Sequence, residues 1–341
     1  MKKIVNNPND FAREAIEGLA LAYPQFVRQI PGFQALVRKD APVLGKVTIL
    51  TGGGSGHEPM FAGYVGRGMA DVSVAGNVFA SPPPPPIYEA ARVAHGGAGI
   101  LFLYGNYSGD VLNFDMAAEM LVREDIAVTT VRVTDDVASA PLESSHERRG
   151  IAGDLFVIKV AGARAEEGAN LVEVAAAAER ANYCTRSMGV ALSSCVIPAS
   201  GRTIFELGEQ EIEIGMGLHG EPGVRRGLLT PADELIPEMG AQILADFPME
   251  LGDEVAVLVN GLGATPLAEL LIVFRSLACF LSKSGLTIWR SLVGNYATSL
   301  DMAGFSISLM RLDADLKRWM AAPAETPALI QTWPTGKVDG N

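Results

Sequence analysis

Apolar positions along this chain come in two kinds of run, and the two kinds alternate. Short runs rich in β-branched residues predict strands over 47–50, 100–104 and 128–133. Longer mixed runs between them predict helices over 59–66, 87–94 and 110–124. Strands alternating with helices indicate an α/β sheet with parallel pairs. A stretch of Ala, Glu, Val and Leu predicts a long helix over 153–181. Strands follow at 187–194 and 255–259, and helices at 231–245 and 267–282. Residues 211–214 alternate polar and apolar, the mark of a half-exposed strand. At 341 residues the chain is long for one core. We therefore expect two α/β domains, 1–182 and 183–331, and a frayed polar tail, 332–341. The run from Ser81 through Pro82–Pro86 is expected to be an extended, stiff connector that ends where Ile87 starts a helix.

Composition narrows the function class. Hydrophobic residues make up 48% and charged residues 19%, so the chain can bury a core. A net charge of −12 argues against nucleic acid and anionic membranes as partners, since both require clustered Lys and Arg. Three cysteines, Cys184, Cys195 and Cys279, form neither a CxxC pair nor an even set. This excludes a disulfide scaffold and a zinc ribbon, and points to free thiols in a reducing cytoplasm. The start, MKKIVNNPND, lacks the apolar run of a signal peptide, and no uninterrupted apolar stretch reaches the length of a membrane span.

Candidate chemistry lies in segments where strands end. Residues 51–59, TGGGSGHEP, follow a strand and precede a helix, where glycines let the backbone approach a ligand. The segment lacks the GK[ST] ending of a phosphate loop and is not an HExxH helix, because His57-Glu58 runs into Pro59. It can serve as a tight turn or as a binding loop. Residues 104–110, YGNYSGD, place Asp110 where it can cap a helix, act as a general base, or do both. Residues 215–223, GMGLHGEPG, match GxGxxG formally, but Pro222, Arg225 and Arg226 stand where a Rossmann helix would begin. What remains is His219 in a glycine-rich loop, an unusual place for a packed core histidine. His95, before Gly96-Gly97, suits a helix end, and His146, among Glu143, Glu147, Arg148 and Arg149, suits the surface. Thr265-Pro266 suits the start of a helix after a simple connection, with Thr265 as N-cap. Residues 294–302 are polar and compact and say little alone.

Together, GGGSGHEP (52–59), NYSGD (106–110), GMGLHGEPG (215–223), LGATPLAEL (262–270) and TSLDMAGFS (298–306) occur in the order found in the substrate-binding K subunits of dihydroxyacetone kinases. The chain resembles that family from about residue 1 to 329. The resemblance implies two α/β domains with mixed sheets and a ketose site where strand-end loops of both meet. It also implies that His219 attacks the ketone carbon and forms a hemiaminal. Gly53, Gly54, Ser55 and His57 then contact the substrate. Asp110 would activate the terminal hydroxyl, with His57 as a donor or second relay. No metal or cofactor is implied on this subunit; ADP or ATP with Mg²⁺ would sit on a separate nucleotide-binding L subunit. A phosphotransferase M subunit and a homodimer are further partners the family implies. No nucleotide-binding helical domain is appended, so by analogy the chain is a separate subunit that does not phosphorylate alone. Departures from the family pattern fall at the proline run, at Gly261, at Tyr183 and in the loop after Val196.

The implied chemistry is physically sound. A neutral imidazole adds to an electrophilic ketone carbonyl, and the resulting alkoxide must be protonated or held by donors. Such a link selects carbonyl compounds over polyols. Binding should weaken as His219 protonates, near the ordinary value of about 6.5. Two other readings share most of these features: the same machinery acting on a four-carbon ketose such as erythrulose, and a ketose sensor with no part in transfer. An independent nucleotide-binding enzyme would need a lysine-bearing phosphate loop, which is absent from the sequence.

Overall fold

The computed structural model describes residues 2–332, so the tail expected at 332–341 lies, apart from Thr332, outside the described residues. In chain order the elements are α1 (Phe11–Ala22), β1 (Val27–Gln29), β2 (Ala35–Arg38), β3 (Thr48–Ser55), β4 (Val72–Val78), α2 (Pro84–Ala94), β5 (Ile100–Gly105), α3 (Ser108–Val122) and β6 (Val128–Val133). There follow α4 (Asp154–Glu166), α5 (Leu171–Cys184), β7 (Thr185–Ala191), β8 (Glu211–Ile214), β9 (Arg225–Leu228), α6 (Ala232–Asp246), β10 (Glu254–Gly261), α7 (Leu267–Lys283), β11 (Thr287–Gly294), β12 (Gly304–Leu312) and α8 (Ala314–Ala321).

Both sheets are mixed and six-stranded, in the orders β1-β2-β4-β3-β5-β6 and β11-β10-β12-β7-β8-β9. In the first, β4, β3, β5 and β6 run parallel, and β1 and β2 add antiparallel at one edge. In the second, only β10 and β11 pair in parallel.

Strand alternation explains how the layers stack. Along β3 and β5, Ile49, Leu101 and Leu103 point to one face, and Leu50, Ile100 and Phe102 to the other. The first face packs against α4 and α5, the second against α2 and α3. In the second sheet, Ala256, Leu258 and Met310 join the same cluster as α4 and α5, whereas Val257, Ile307 and Leu309 pack on α6 and α7. The molecule is therefore five layers deep, with α4 and α5 shared between the two sheets. This is why α4 buries eleven of its thirteen residues and shows no polar face. Gly162 in α4 permits that depth: a β-carbon there would meet Met69 Cα at 2.4 Å.

Several elements differ from those the sequence suggests. The proline run is not wholly extended, because Pro84–Pro86 form the first turn of α2, where the missing N–H groups have no intrahelical partner to lose. Residues 59–66 form turns and a single 3₁₀ turn, Ala62–Tyr64, in place of a helix. The long stretch 153–181 is two helices, divided at Asn170, whose side chain and Glu173 form a capping box. The expected boundary at 182 falls inside α5, in the shared layer. Glu213 in β8 is buried and paired with Arg226, so residues 211–214 are not half-exposed. Thr265 is not an N-cap: its Oγ1 donates to the Gly304 carbonyl and accepts the Gly304 N–H.

Buried charges are neutralised locally. Asp71, 3% exposed, binds Arg38 at 2.9 Å, Lys46 Nζ at 2.6 Å and the Ile49 N–H at 2.7 Å. Removing the carboxylate leaves two buried cations facing each other. Asp71→Ala should cost about 3 kcal/mol in urea unfolding, and a loss below about 1 kcal/mol would show that Asp40 and Glu166, which also bind Arg38, compensate for it.

Candidate active site

The glycine-rich loops after β3 and β8 meet, for their histidine side chains are in contact. β3 runs through Gly52–Gly54 before it turns, so these glycines are strand and not loop. Bare backbone is required there: a β-carbon on Gly54 would meet Ala80 N at 2.7 Å and Phe79 Cα at 2.9 Å. His57 follows, 2% exposed, and its ring lies 5.1 Å from that of Phe79 in a stacked arrangement. From the second sheet comes His219. Its Nε2 stands 2.9 Å from His57 Nε2, and its ring meets Tyr107 edge-on.

Each imidazole is oriented from behind. His57 Nδ1 is 2.8 Å from the Thr298 carbonyl oxygen, which only accepts, so Nδ1 carries the proton. His219 Nδ1 is 3.0 Å from Glu221 Oε1, and the His219 backbone N–H donates to Glu221 Oε2 at 2.9 Å. Burial opposes ionisation of Glu221, but the hydrogen bond and charge of His219, with Arg149, hold its carboxyl down to about 2. Glu221 is thus a carboxylate, and His219 Nδ1 is the donor. Both Nε2 atoms then present lone pairs, and their short contact requires one proton between them. Burial, and next the neighbouring His219, push His57 down to about 3.

The segment 294–302 holds the two histidine loops together. The Thr298 N–H donates to the His57 carbonyl at 3.1 Å and the Leu300 N–H to the Gly56 carbonyl at 2.7 Å. Ser299 Oγ donates to the Leu218 carbonyl at 2.6 Å. Asn260, at the end of β10, fixes this segment by accepting from the Tyr296 and Ala297 N–H groups, both at 2.8 Å.

Gly53, Gly54, His57, Asp110 and His219 line one cavity with Met60, Phe61, Gly105, Tyr107, Gly150, Asp154 and Leu218. The space open to the centre of a water molecule is about 10 Å³, roughly one water, because the His57–His219 contact fills the centre. Asp110 is no helix cap: it lies three residues after the cap position of α3, at Tyr107, and its Oδ1 is buried without a partner. Burial raises its carboxyl to about 6, with Ser81 and His219 partly opposing. Ser55 belongs to the wall and not to the cavity: its hydroxyl donates to the Gly76 carbonyl at 2.7 Å and ties β3 to β4. Glu221, Phe79, Tyr107 and Asp154 escaped sequence reasoning. Only Glu221, two residues after His219 in a glycine loop, carried a signal that could have found it. A larger cleft of about 500 Å³ lies at Arg132, Tyr183 and Arg186, but its arginines are bound to Asp115 and Asp246. Among the described residues no three or more His, Cys, Asp or Glu side chains converge on a metal site, and no helix is long and apolar enough to cross a membrane.

Known proteins resemble this chain along almost its whole length. Residues 17–328 match the Dak1 domain. The chain is 45% identical to the dihydroxyacetone-binding subunit DhaK of a PTS-dependent dihydroxyacetone kinase from Listeria innocua, over 96% of this chain and 98% of that one. It is 44% identical to an L-erythrulose kinase from Pectobacterium atrosepticum, over 96% of this chain but 56% of that protein, so it spans about half the length of that relative. Among solved structures it is similar to the dihydroxyacetone kinase of C. freundii in complex with AMP-PNP and Mg²⁺, with a TM-score of 0.90, 33% identity, and coverage of 97% of this chain and 61% of that one. It is also similar to the dihydroxyacetone kinase operon co-activator DhaQ, with a TM-score of 0.87, 32% identity, and coverage of 93% and 98%.

The hydrogen-bond pattern makes a prediction for the histidines. In an NMR pH titration, the His57 ring signals should stay unchanged between about pH 5 and 8, where an ordinary histidine titrates. A normal midpoint for His57 would contradict the proton placement.

Proposed function

Because this chain belongs to the Dak1 domain family, that of the dihydroxyacetone-binding subunits of dihydroxyacetone kinases, we propose that it captures a small ketose on His219 and presents a terminal hydroxyl for phosphorylation. It thus acts as one part of a phosphotransferase with an alcohol acceptor. The observation that carries this reading is the paired His57 and His219 Nε2 atoms, 2.9 Å apart in a cavity that also holds Asp110, whose Oδ1 is buried without a partner.

The addition balances with the groups present. As the ketone enters between the rings, the proton they share goes to His57. The freed His219 Nε2 lone pair attacks the carbonyl carbon, and the carbonyl π electrons move onto oxygen. His57 delivers the proton to that oxygen, giving a hydroxyl. The positive charge then rests on the alkylated His219 ring, paired through Nδ1–H with the Glu221 carboxylate. Asp110 next accepts the proton of the terminal hydroxyl as it attacks phosphorus. The phosphoryl group comes from a separate L subunit carrying ADP or ATP with Mg²⁺, supplied through an M subunit where the source is a phosphotransferase relay. The chain works in the cytoplasm as a homodimer on this reading. Dihydroxyacetone is the first substrate to test, and a four-carbon ketose the second, given the erythrulose kinase relative. A sensor role is favoured by the similarity to an operon co-activator. Asp110 weighs against it, since retention of a ketose requires no base.

Two outcomes check this. With dihydroxyacetone labelled at the ketone carbon, ¹³C NMR should show the carbonyl signal replaced by a tetrahedral carbon on binding. His219→Ala should abolish that signal; its persistence would remove the covalent role. In transfer assays with the L subunit, Asp110→Asn should keep the adduct and slow turnover by about a hundred- to ten-thousandfold. Because a base must be ionised and Asp110 sits at about 6, wild-type turnover should fall as pH drops through about 6, and that limb should vanish in Asp110→Asn. A sensor would show adduct but no transfer at any pH.

A further inference from the structure

The cavity holds a second carboxyl that the reaction above does not use. Asp154, the first residue of α4, is fully buried, and neither of its carboxyl oxygens has a hydrogen-bond partner. Burying an unpartnered polar group costs free energy, so a protein that keeps one in a ligand cavity is using it for something outside its own fold. The neighbouring backbone leaves the carboxyl uncovered. A β-carbon on Gly150 would stand 2.9 Å from Asp154 Oδ1 and 2.5 Å from Gly105 Cα, and one on Gly105 would stand 3.3 Å from Asp154 Oδ2. No side chain therefore reaches Asp154 from these two positions. Asp135 cannot do so either, as it is spent on the Ile151 and Gly153 N–H groups at 2.8 and 2.9 Å, which fix the start of α4.

We propose that Asp154 binds a second hydroxyl of the ketose, one not engaged by Asp110, and so sets the preference among hydroxyketones. This rests on the ketose-binding reading and adds the substrate feature that the site selects. Burial, and then the Asp135 and Asp110 carboxylates, push Asp154 well above the usual carboxylate range. That shift favours the protonated acid, which can both donate to a hydroxyl oxygen and accept from a hydroxyl proton. A site built to pair with a hydroxyl discriminates strongly against an analogue lacking it, because the buried group is then left unpaired. Ketoses with two or more hydroxyls, dihydroxyacetone and erythrulose among them, satisfy Asp154, whereas hydroxyacetone carries only the hydroxyl that Asp110 takes.

The test pairs truncation of the ligand with truncation of the side chain. Affinities of dihydroxyacetone, erythrulose and hydroxyacetone are measured by calorimetry for wild type, Asp154→Ala and Asp154→Asn, with the His219 adduct followed by ¹³C NMR and the thermal midpoint recorded. Asp154→Ala should weaken the two polyhydroxylated ketoses by about tenfold or more and change hydroxyacetone by less than about twofold. Asp154→Asn, which keeps a donor and an acceptor, should restore part of the loss. The thermal midpoint should not fall in Asp154→Ala, since an unpartnered polar burial is relieved. Equal losses for all three ketones, or a lower midpoint with an unchanged preference, would overturn the proposal in favour of a structural role. If wild type shows affinity without adduct, the covalent reading fails while the preference still decides the role of Asp154. If wild type binds no ketose, both fall together.

Discussion

The structure depends on one packing constraint: a helix with no polar face, α4, must be covered on all sides. One sheet cannot do this, and a second sheet meets it from behind. Sharing that layer fixes the separation and orientation of the two sheets, and close packing leaves them little freedom to shift. The strand-end loops carrying His57 and His219 are therefore brought to one cavity by the core. Their residues lie 162 positions apart in the chain and 2.9 Å apart in space.

Electrostatics at the site follows from the same burial. Burial holds His57 down to about 3, the Thr298 carbonyl fixes its proton on Nδ1, and the Glu221 carboxylate orients His219 through Nδ1. Asp154 and the Oδ1 of Asp110 face the same cavity without hydrogen-bond partners, and burial raises both carboxyls. The protein holds two histidines and two carboxyl groups around a space close to the size of one water molecule. On the proposed reading, ligand entry separates the imidazoles and the adduct takes the place of the closed pair.

Shared fold and shared activity are distinct matters in this family. Similar folds occur in a kinase structure and in an operon co-activator. The layer architecture accommodates either use. On the proposed reading, what separates transfer from sensing is the acid that can take a hydroxyl proton, Asp110, and the preference among ketoses follows from the wall formed by Gly105, Gly150 and Asp154.

The sequence by itself determined the alternating elements, the α/β class and the histidine in a glycine-rich loop, because period-two and helical patterns and glycine clusters are local properties. It placed Gly53, Gly54, His57, Asp110 and His219 among the candidates on motif order. It could not tell that Pro84–Pro86 begin α2, that Thr265 clamps Gly304, or that Ser55 faces Gly76, since each depends on what lies opposite. Residues 294–302 looked uninformative because their hydrogen bonds run to loops more than 200 and about 80 positions away. Asp154 stands at the head of an apolar helix and resembles any acidic first-turn residue. Only tertiary packing, by burying it without a partner beside two glycines, made it part of the site.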